Sequence, residues 1–324
     1  MANRQIKRTV ILLKLETTYG TDAAPTGVAN ALLVSGLSIN PLNASNAKRD
    51  NIRPYFGGSE ELPGPRYVTM DFSLEATGAG TVATAPAWGA ALQACGFAET
   101  LTATIRTDYT LVTDLLKSCT IYWYDDGLLH KATGCYGNPT LKFAVGEIPK
   151  ISFTFTGLYS TPTVVSNPAA TLTAWKQPQV VMSANSANIV LGGTHAPAVA
   201  PVIAAGTPFP SQGIEIAIGN KVDFNALLGG ETVDISDREV TAKVTFDMTA
   251  AEEAAAYVAV ETAALTTLGF QHGTVANQKI LLWAPSVQRT NPGKQETNGK
   301  RLVSLDLRLV PVTGNDELRL VTSF

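Results

Sequence analysis

Two separated segments of the chain repeat one pattern of apolar and polar positions. Every second residue is apolar in residues 67–74 and again in residues 239–246, at Val68, Met70, Phe72 and Leu74 and at Val240, Ala242, Val244 and Phe246. A period of two places these side chains on one face of a strand and the polar residues between them on the other. Each segment therefore predicts a β-strand with one apolar and one polar face.

The elements that follow the two strands also repeat in one order. An alanine-rich stretch comes after each strand and ends in a Gly-Phe pair, at residues 96–97 and 269–270. Further along, residues 120–124 resemble residues 279–283, and residues 150–155 resemble residues 302–307. Four elements in one order predict a duplicated, mainly β unit. A repeated unit of this kind favours a role in assembly over a role in catalysis.

One helix is predicted in each copy. The first, residues 85–93, has Pro86 in its first turn, where the missing amide costs nothing. The second, residues 250–268, has Thr249 as its candidate N-cap and Glu252 in its first turn. Each helix is expected to cover one face of a sheet, the second through an apolar stripe formed by Tyr257, Val260, Ala264 and Leu268.

A long hairpin interrupts the first copy. Strands are predicted on both sides of residues 43–65, which are largely polar. Connections in compact domains are usually about four to six residues long, so the tip of this one is expected to lie outside the core. Residues 219–238 occupy the same place in the second copy, with a break at Leu228-Gly229-Gly230. Residues 17–31 predict an extended arm that reaches another subunit.

The length of 324 residues favours two domains, because one hydrophobic core rarely serves so long a chain. We place the first domain at residues 1–160, with the arm and the long hairpin, and the second at residues 213–324. Residues 161–212 are rich in Pro, Ala, Ser and Thr. They predict an extended bridge with short strands near residues 179–182 and 188–191.

The composition limits the classes of partner. The charged fraction of 16% is low against the roughly 25% of typical soluble proteins, and the hydrophobic fraction is 45%. Such a surface suits a subunit that neighbours largely cover. The net charge of −3 provides no basic field for specific binding to a phosphate backbone, but it is compatible with a wall that DNA slides past. The cysteines lack paired spacing, as is typical of a reducing cytoplasm: Cys95, Cys119 and Cys135.

The sequence predicts neither export nor membrane insertion. The apolar run near the N-terminus, residues 10–13, is shorter than the roughly seven residues of a signal-peptide core. No apolar stretch approaches the roughly eighteen residues that a membrane-spanning helix needs.

Candidate chemistry is sparse. Asp125-Asp126-Gly127, followed by His130, admits a metal or acid–base interpretation, but Asp-Gly between two β-rich runs is typical of a tight hairpin turn. His130, His195 and His272 have no spacing typical of metal ligands. The glycine pairs are not followed by Gly-Lys-Ser or Gly-Lys-Thr, and no nucleophile motif is present. We therefore expect no catalytic residue, no metal ligand and no cofactor, and we expect that the protein is not an enzyme.

Several short motifs resemble those of one known family. They are ETTYGTDAAPT at residues 16–26, VSGLSINPL at 34–42, RYV at 66–68, PAWG at 86–89 and ACGF at 94–97. In these motifs the chain resembles the tail tube (major tail) proteins of tailed bacteriophages, especially those with long flexible tails. The motifs lie in the first half, and the second half resembles the family mainly through the internal repeat.

The resemblance implies a tail tube fold: a β-sandwich or half-barrel with one flanking helix per domain, whose sheets join those of neighbouring subunits around a hollow channel. It implies a structural virion protein of a siphophage tail, assembled in the bacterial host cytoplasm as stacked rings that form a conduit for genome ejection. Single-domain relatives build sixfold rings, so two domains in one chain imply a homotrimeric, pseudo-sixfold ring. The implied partners are further copies of the chain and the tail terminator, tape measure and distal tail proteins, while DNA passes without specific binding.

The polar strand faces and the long hairpin are the candidate sites. The residues expected to face the lumen are Thr69, Asp71, Ser73, Glu75, Ser152, Thr154, Thr241, Lys243, Thr245, Asp247, Ser304 and Asp306. The hairpin residues expected to contact the next ring are Lys48, Arg49, Arg53, Tyr55, Phe56, Glu60, Glu61 and Leu62. Adjacent aromatic residues among charged ones are typical of an interface with apolar anchors and a polar rim.

Two other classes of protein remain open from the residues alone. A β-rich hydrolase requires a deep pocket lined by histidines and carboxylates in the monomer. A surface adhesin or capsid decoration protein shares the β-rich character, but it does not stack into tubes.

Overall fold

The computed structural model describes residues 4–196 and 201–324, and these residues are mainly β. Their first element is a short 3-10 helix, Ile6–Arg8, and the two α-helices are α1 (Gly89–Gln93) and α2 (Ala250–Glu261). The strands are β1 (Thr9–Leu15), β2 (Ala31–Leu32), β3 (Val34–Ala44), β4 (Ala47–Lys48), β5 (Glu61–Leu62), β6 (Arg66–Glu75), β7 (Phe97–Thr102), β8 (Arg106–Leu111), β9 (Cys119–Asp125), β10 (Leu128–Ala144), β11 (Lys150–Tyr159), β12 (Thr163–Val164), β13 (Ile189–Leu191), β14 (Thr194–Ala196), β15 (Val202–Ala204), β16 (Thr207–Phe209), β17 (Ser211–Ala217), β18 (Asn220–Leu227), β19 (Gly230–Arg238), β20 (Thr241–Phe246), β21 (Leu265–His272), β22 (Ile280–Thr297), β23 (Lys300–Leu309) and β24 (Arg319–Thr322).

A central antiparallel sheet runs through both halves of the chain. Its strand order is β3-β6-β11-β10-β17-β20-β23-β22. The pairing of β10 with β17 joins the first four strands to the last four. The predicted alternation in β6 and β20 is confirmed, because the apolar positions of both strands are buried and the positions between them are not. A sheet with one packed face and one open face requires this pattern.

The same strand order occurs in both halves of the central sheet. In the first half Asp71 lies opposite Ser38 on one neighbouring strand and Thr154 on the other. In the second half Lys243 lies in the same way between Glu215 and Asp306. The first strand of each group of four, β3 and β17, contains a bulge next to a glycine, Gly36 and Gly213 respectively, and both glycines have positive φ. These registers define which residues of the two halves correspond.

One predicted match between the two copies, residues 120–124 with residues 279–283, is shifted by one strand. The strand that precedes β11 is β10, and the strand that precedes β23 is β22. Residues 279–283 therefore correspond to the beginning of β10, whereas residues 120–124 lie in β9, which pairs with β10 as β21 pairs with β22. The prediction was wrong because β9 and β10 are adjacent strands with similarly apolar sequences, and similarity over five residues does not distinguish them.

Two long strands, β10 and β22, continue from the central sheet into a second layer of strands. The first part of β10 pairs with β9, and β9 pairs with β1. The first part of β22 pairs with β21 on one side and with β24 on the other, and β24 continues to β8. The layers enclose a core that includes Leu13, Phe72, Ile121, Phe153 and Leu305. The C-terminal strand thus returns to a strand of the first half.

Both predicted helices exist but are shorter than expected. Helix α1 has five residues, and α2 ends at Glu261 rather than at residue 268. Ala263 takes a left-handed conformation with φ of 51°, and the β-branched residues that follow extend into β21. The predicted stripe was wrong, since the buried residues of α2 are Ala256 and Ala259. The N-cap was correct, because Thr249 and Glu252 form a reciprocal capping box.

Three further local expectations have different outcomes. Asp126 and Gly127, both with positive φ, form the tight turn between β9 and β10, as predicted. Residues 179–182 form no strand, because Val181 bonds instead to the backbone of Gly146 and Glu147 in the turn between β10 and β11. The expected strand at 188–191 is present as β13. Across the described residues, neither helix has the length and apolarity to cross a membrane.

Candidate assembly surfaces

Eleven of the twelve residues predicted to face a lumen lie on the open face of the central sheet, and the twelfth, Asp247, directly follows β20. None of the twelve is buried. The five that are exposed are Asp71, Ser152, Thr154, Thr241 and Lys243, and the others are half-buried. The apolar residues between them point into the core, where Phe72 and Leu305 are at most 2% exposed. The alternation therefore predicted correctly which side chains of these strands enter the core and which face outward.

Short polar side chains on this face bond to one another across the strands. The hydroxyls of Ser73 and Ser152 are 2.8 Å apart. Thr154 donates to Asp71 over 2.7 Å, and Asn291 donates to Asp306 over 3.1 Å. These bonds occupy lone pairs and hydroxyls that otherwise face the solvent, and they hold the two carboxylates close to the sheet.

A row of charged residues crosses the open face from strand to strand. Each member lies opposite the next in register, in the order Glu75, Lys150, Lys142, Glu215, Lys243 and Asp306. The row contains three acids and three bases, so its formal charge is balanced. Opposite charges directly across strands stabilise a sheet, while the Lys142–Lys150 neighbours repel. Glu147 relieves this repulsion, because its carboxylate is 2.8 Å from Lys142 Nζ and raises the pKa of that lysine.

Sequence reasoning identified only part of this row. It found Glu75, Lys243 and Asp306 because they belong to strands with clear alternation. It missed Lys142, Lys150 and Glu215, although the alternation of Leu141 and Phe143 around Lys142 offered the same signal. The pairing of β10 with β17 makes Lys142 and Glu215 neighbours, and that pairing joins residues far apart in the sequence.

Two edges of the central sheet have no partner strand within the described residues. Strand β3 pairs only with β6, so its other edge is open. Residues 293–297 of β22 pair only with β23. These are the first and last strands of the central sheet. Open edges present unpaired amides and carbonyls that another strand can bind.

The long hairpin after β3 projects from the domain, as its length predicted. Strands β4 and β5 form a short stem in which Lys48 is 3.8 Å from Glu61, and Arg49 pairs with Glu60. Leu62 on this stem is 53% exposed. Beyond the stem, Arg53 is half-buried and Tyr55 is 66% exposed, while Phe56 is fully exposed. The charged stem residues therefore bond to each other, and the apolar tip has no cover from its own chain.

The corresponding hairpin of the second half, β18 with β19, packs on the first half. The Phe224 ring stacks on Tyr67, with 4.9 Å between the ring centres. Asn220 is buried and donates its side-chain amide to the carbonyls of Cys95 and Gly137 over 2.7 and 2.9 Å. The two hairpins thus occupy matching places in the two halves, but only the second one packs on the other half of the chain, and its tip at Leu227 and Leu228 stays exposed.

The N-terminal arm is bonded to its own chain, and the expectation that it also reaches another subunit stays a prediction. Asp22 accepts hydrogen bonds from the Tyr122 hydroxyl and from Lys131. Burial raises the pKa of Asp22, but these bonds and one from the Ala24 amide outweigh it and lower the pKa overall. The segment folds back across the sheet because β1 and β2, which it connects, are neighbours in that sheet.

The described residues contain no group of three His, Cys, Asp or Glu side chains arranged for a metal ion. His130 stacks on Trp123 and His195 on Trp283, while His272 bonds to Ser186 and to the Gln179 carbonyl. A cavity of about 390 Å³ is lined by an Arg238–Glu317 ion pair and by apolar residues such as Val112, and its lining includes no histidine.

Comparisons with known proteins agree with the resemblance of the motifs. The sequence model of the family described as phage tail tube protein matches residues 6–310, which is nearly the whole chain. No curated protein matches the sequence significantly. The family match favours a structural tail protein and offers no support for an adhesin or a decoration protein.

Proposed function

The chain belongs to the phage tail tube protein family, whose members are structural components of the virion tail, and we propose that three copies close into each ring of the tube. The observation that carries this proposal is the central sheet, in which two groups of four strands have the same order and the same glycine bulge. We assign them to two tail tube domains, residues 1–160 and 213–324, with residues 161–212 as the bridge. Two domains per chain give a threefold ring pseudo-sixfold symmetry.

The open polar face of the central sheet lines the lumen in this proposal. It presents hydroxyls and a charge-balanced row rather than a basic field. Phosphates that pass such a wall meet neither a set of cations that captures them nor a uniformly acidic surface that repels them. DNA therefore moves through the tube without specific binding.

The tip of the long hairpin contacts a subunit of the next ring in this proposal. Ile52, Tyr55 and Phe56 are exposed in the single chain, and apolar side chains of this size gain free energy when a partner covers them. Arg53 contributes to the polar rim. The stem residues Lys48, Arg49, Glu60, Glu61 and Leu62 support the tip, since the four charged ones bond across the stem.

A stack of identical rings leaves two end faces uncovered, so the tube requires other proteins at its ends. We assign the terminator of the tail to one end and the distal tail proteins to the other, with the tape measure protein inside the lumen during assembly. The tube belongs to a long flexible siphophage tail and assembles in the host cytoplasm before it joins the virion.

Electron microscopy of the purified protein tests the number of chains per ring. We expect tubes whose end-on class averages show six similar lobes of two alternating kinds, and a ring mass of three chains. Rings with six chains, or a protein that stays monomeric under all conditions of salt and concentration, would contradict the proposal.

A further inference from the structure

We propose that the open edge of β3 in one subunit pairs with residues 293–297 of β22 in the next, in the register of the internal pairing between β17 and β10. This inference rests on the proposed ring, and it specifies which strand edges meet and which residues lie opposite one another. The occupant of each open edge is a second copy of this chain.

The internal junction joins five residue pairs. It runs from Thr140 opposite Ala217 to Ala144 opposite Gly213. Between them, Leu141 lies opposite Ile216 and Phe143 opposite Ile214, and all four are buried. This junction joins the first half of the chain to the second through a continuous backbone ladder.

The two open edges correspond to the two strands of this junction. Strand β3 takes the place of β17, because Ser38 opposite Asp71 matches Glu215 opposite Lys243. Strand β22 takes the place of β10, because Gly293 opposite Ser304 matches Thr140 opposite Ser152. Transferring the internal register places Gly293 opposite Asn40, Gln295 opposite Ser38, and Thr297 opposite Gly36.

The glycines at the two bulges support the same register. A Cβ on Gly213 would lie 2.0 Å from the Phe143 carbonyl oxygen, so the internal junction excludes any side chain there. A Cβ on Gly36 meets nothing within 4 Å in the single chain. In the inferred register, the carbonyl of Glu296 from the next subunit lies against Gly36, just as the carbonyl of Phe143 lies against Gly213 within the chain. The tight approach at Gly36 then exists only in the assembled ring.

Two asparagines extend the correspondence beyond the paired residues. The Asn220 amide donates to the Asn138 side chain over 3.0 Å, just past the end of the internal ladder. Counted along the strands, Asn43 stands at the position of Asn220, and Asn291 stands at the position of Asn138. Both Asn138 and Asn291 are followed by proline. We infer that the Asn43 amide donates to Asn291 of the next subunit.

The open edges differ from the internal ones in polarity. Lys294 and Glu296 stand at the positions of Leu141 and Phe143, and Lys294 is 3.3 Å from Glu253 of α2. Charged side chains on an edge strand hinder random pairing of strands. The junction between subunits is therefore less apolar than the internal one, as suits a subunit that stays soluble before it joins a ring.

The Gly36→Ala variant tests the inference. We expect it to fold with only the small strain of a left-handed alanine but to form no tubes, because its methyl group blocks the neighbouring strand. Gly314→Ala is the matched control, since Gly314 also has positive φ and open space around it but lies far from both edges in the sequence. Normal tubes from Gly36→Ala would overturn the inferred register.

A disulfide measurement keeps the test independent of folding. In the full chain, Ser38→Cys with Gln295→Cys places two thiols opposite each other across the inferred junction, and the three native cysteines are buried. Oxidation of assembled tubes by copper phenanthroline is expected to yield covalent trimers, whereas Ser38→Cys with Thr297→Cys yields none. Equal cross-linking of the two variants, or none in tubes of normal shape, would overturn the register while the proposed tube stands. A wild type without rings would instead overturn the proposed function.

Discussion

The Tyr19 hydroxyl accepts the amide of Val233 over 2.6 Å and donates to the carbonyl of the same residue over 3.2 Å. Tyr19 lies in the N-terminal arm, and Val233, which is fully buried, lies in β19 of the second hairpin. One side chain thus satisfies both backbone groups of a residue more than two hundred positions away. The contact fastens a hairpin of the second half onto the first half.

Replacing Tyr19 with phenylalanine is expected to lower the free energy of unfolding by about 1–2 kcal/mol, because a buried amide and a carbonyl lose their partner. Urea unfolding of the dilute monomer measures the change. Tyr55→Phe removes a hydroxyl from an exposed ring and is expected to change nothing. An equal effect of both variants would contradict the role of Tyr19.

The same contact predicts a loss of stability in alkali. Burial raises the pKa of Tyr19 to about 12, with the Val233 backbone bond opposing the shift. The folded state then holds a proton that the unfolded state loses near pH 10, so this contribution falls as pH rises from about 10 to 12. We expect the stability difference between wild type and Tyr19→Phe to shrink over this interval. A constant difference would exclude the coupling.

The buried histidine His272 predicts a loss of stability in acid. It is 2% exposed, and burial lowers the pKa of its imidazole below the ordinary value. The folded state therefore binds fewer protons than the unfolded state once the pH drops below about 6.5, and stability falls with pH from there. The melting temperature of wild type is expected to fall more between pH 7.5 and 5.5 than that of His272→Gln. Part of the fall persists in the variant, because burial also lowers the pKa of His195 and His130.

The sequence predicted those features that depend on one buried face. The alternation around Phe72 and Val244 is strict because every second side chain enters the core, so strand phase and polar face followed directly. The end of α2 was missed because residues 265–268 carry apolar positions whose spacing fits a helix as well as a strand. Pairing with β22 decides between them, and that pairing is tertiary. The neighbours Lys142 and Glu215 are likewise set by a long-range junction.

Reversing charge on the polar face is expected to slow DNA passage without preventing assembly. Asp71→Lys with Asp247→Lys places cations where phosphates pass, while the buried faces of β6 and β20 are unchanged. Phage carrying this variant is expected to have normal tubes but slower genome ejection in vitro, with the delay relieved by added salt. Asp71→Asn with Asp247→Asn is the control for lost bonds to Thr154 and Lys300. Ejection at the wild-type rate in the lysine variant would mean that this face does not meet DNA.

Removing the apolar tip of the long hairpin is expected to stop the stacking of rings. Changing Ile52, Tyr55 and Phe56 to serine leaves the fold unaffected, because these side chains are exposed, and each aromatic anchor at an interface contributes about 2 kcal/mol. Thermal unfolding is expected to match wild type, while electron microscopy shows single rings instead of tubes. Deleting residues 52–62 is expected to act in the same way. Leu228→Ser, at the exposed tip of the second hairpin, is the matched control. Tubes of normal length from the serine variant would show that another surface stacks the rings.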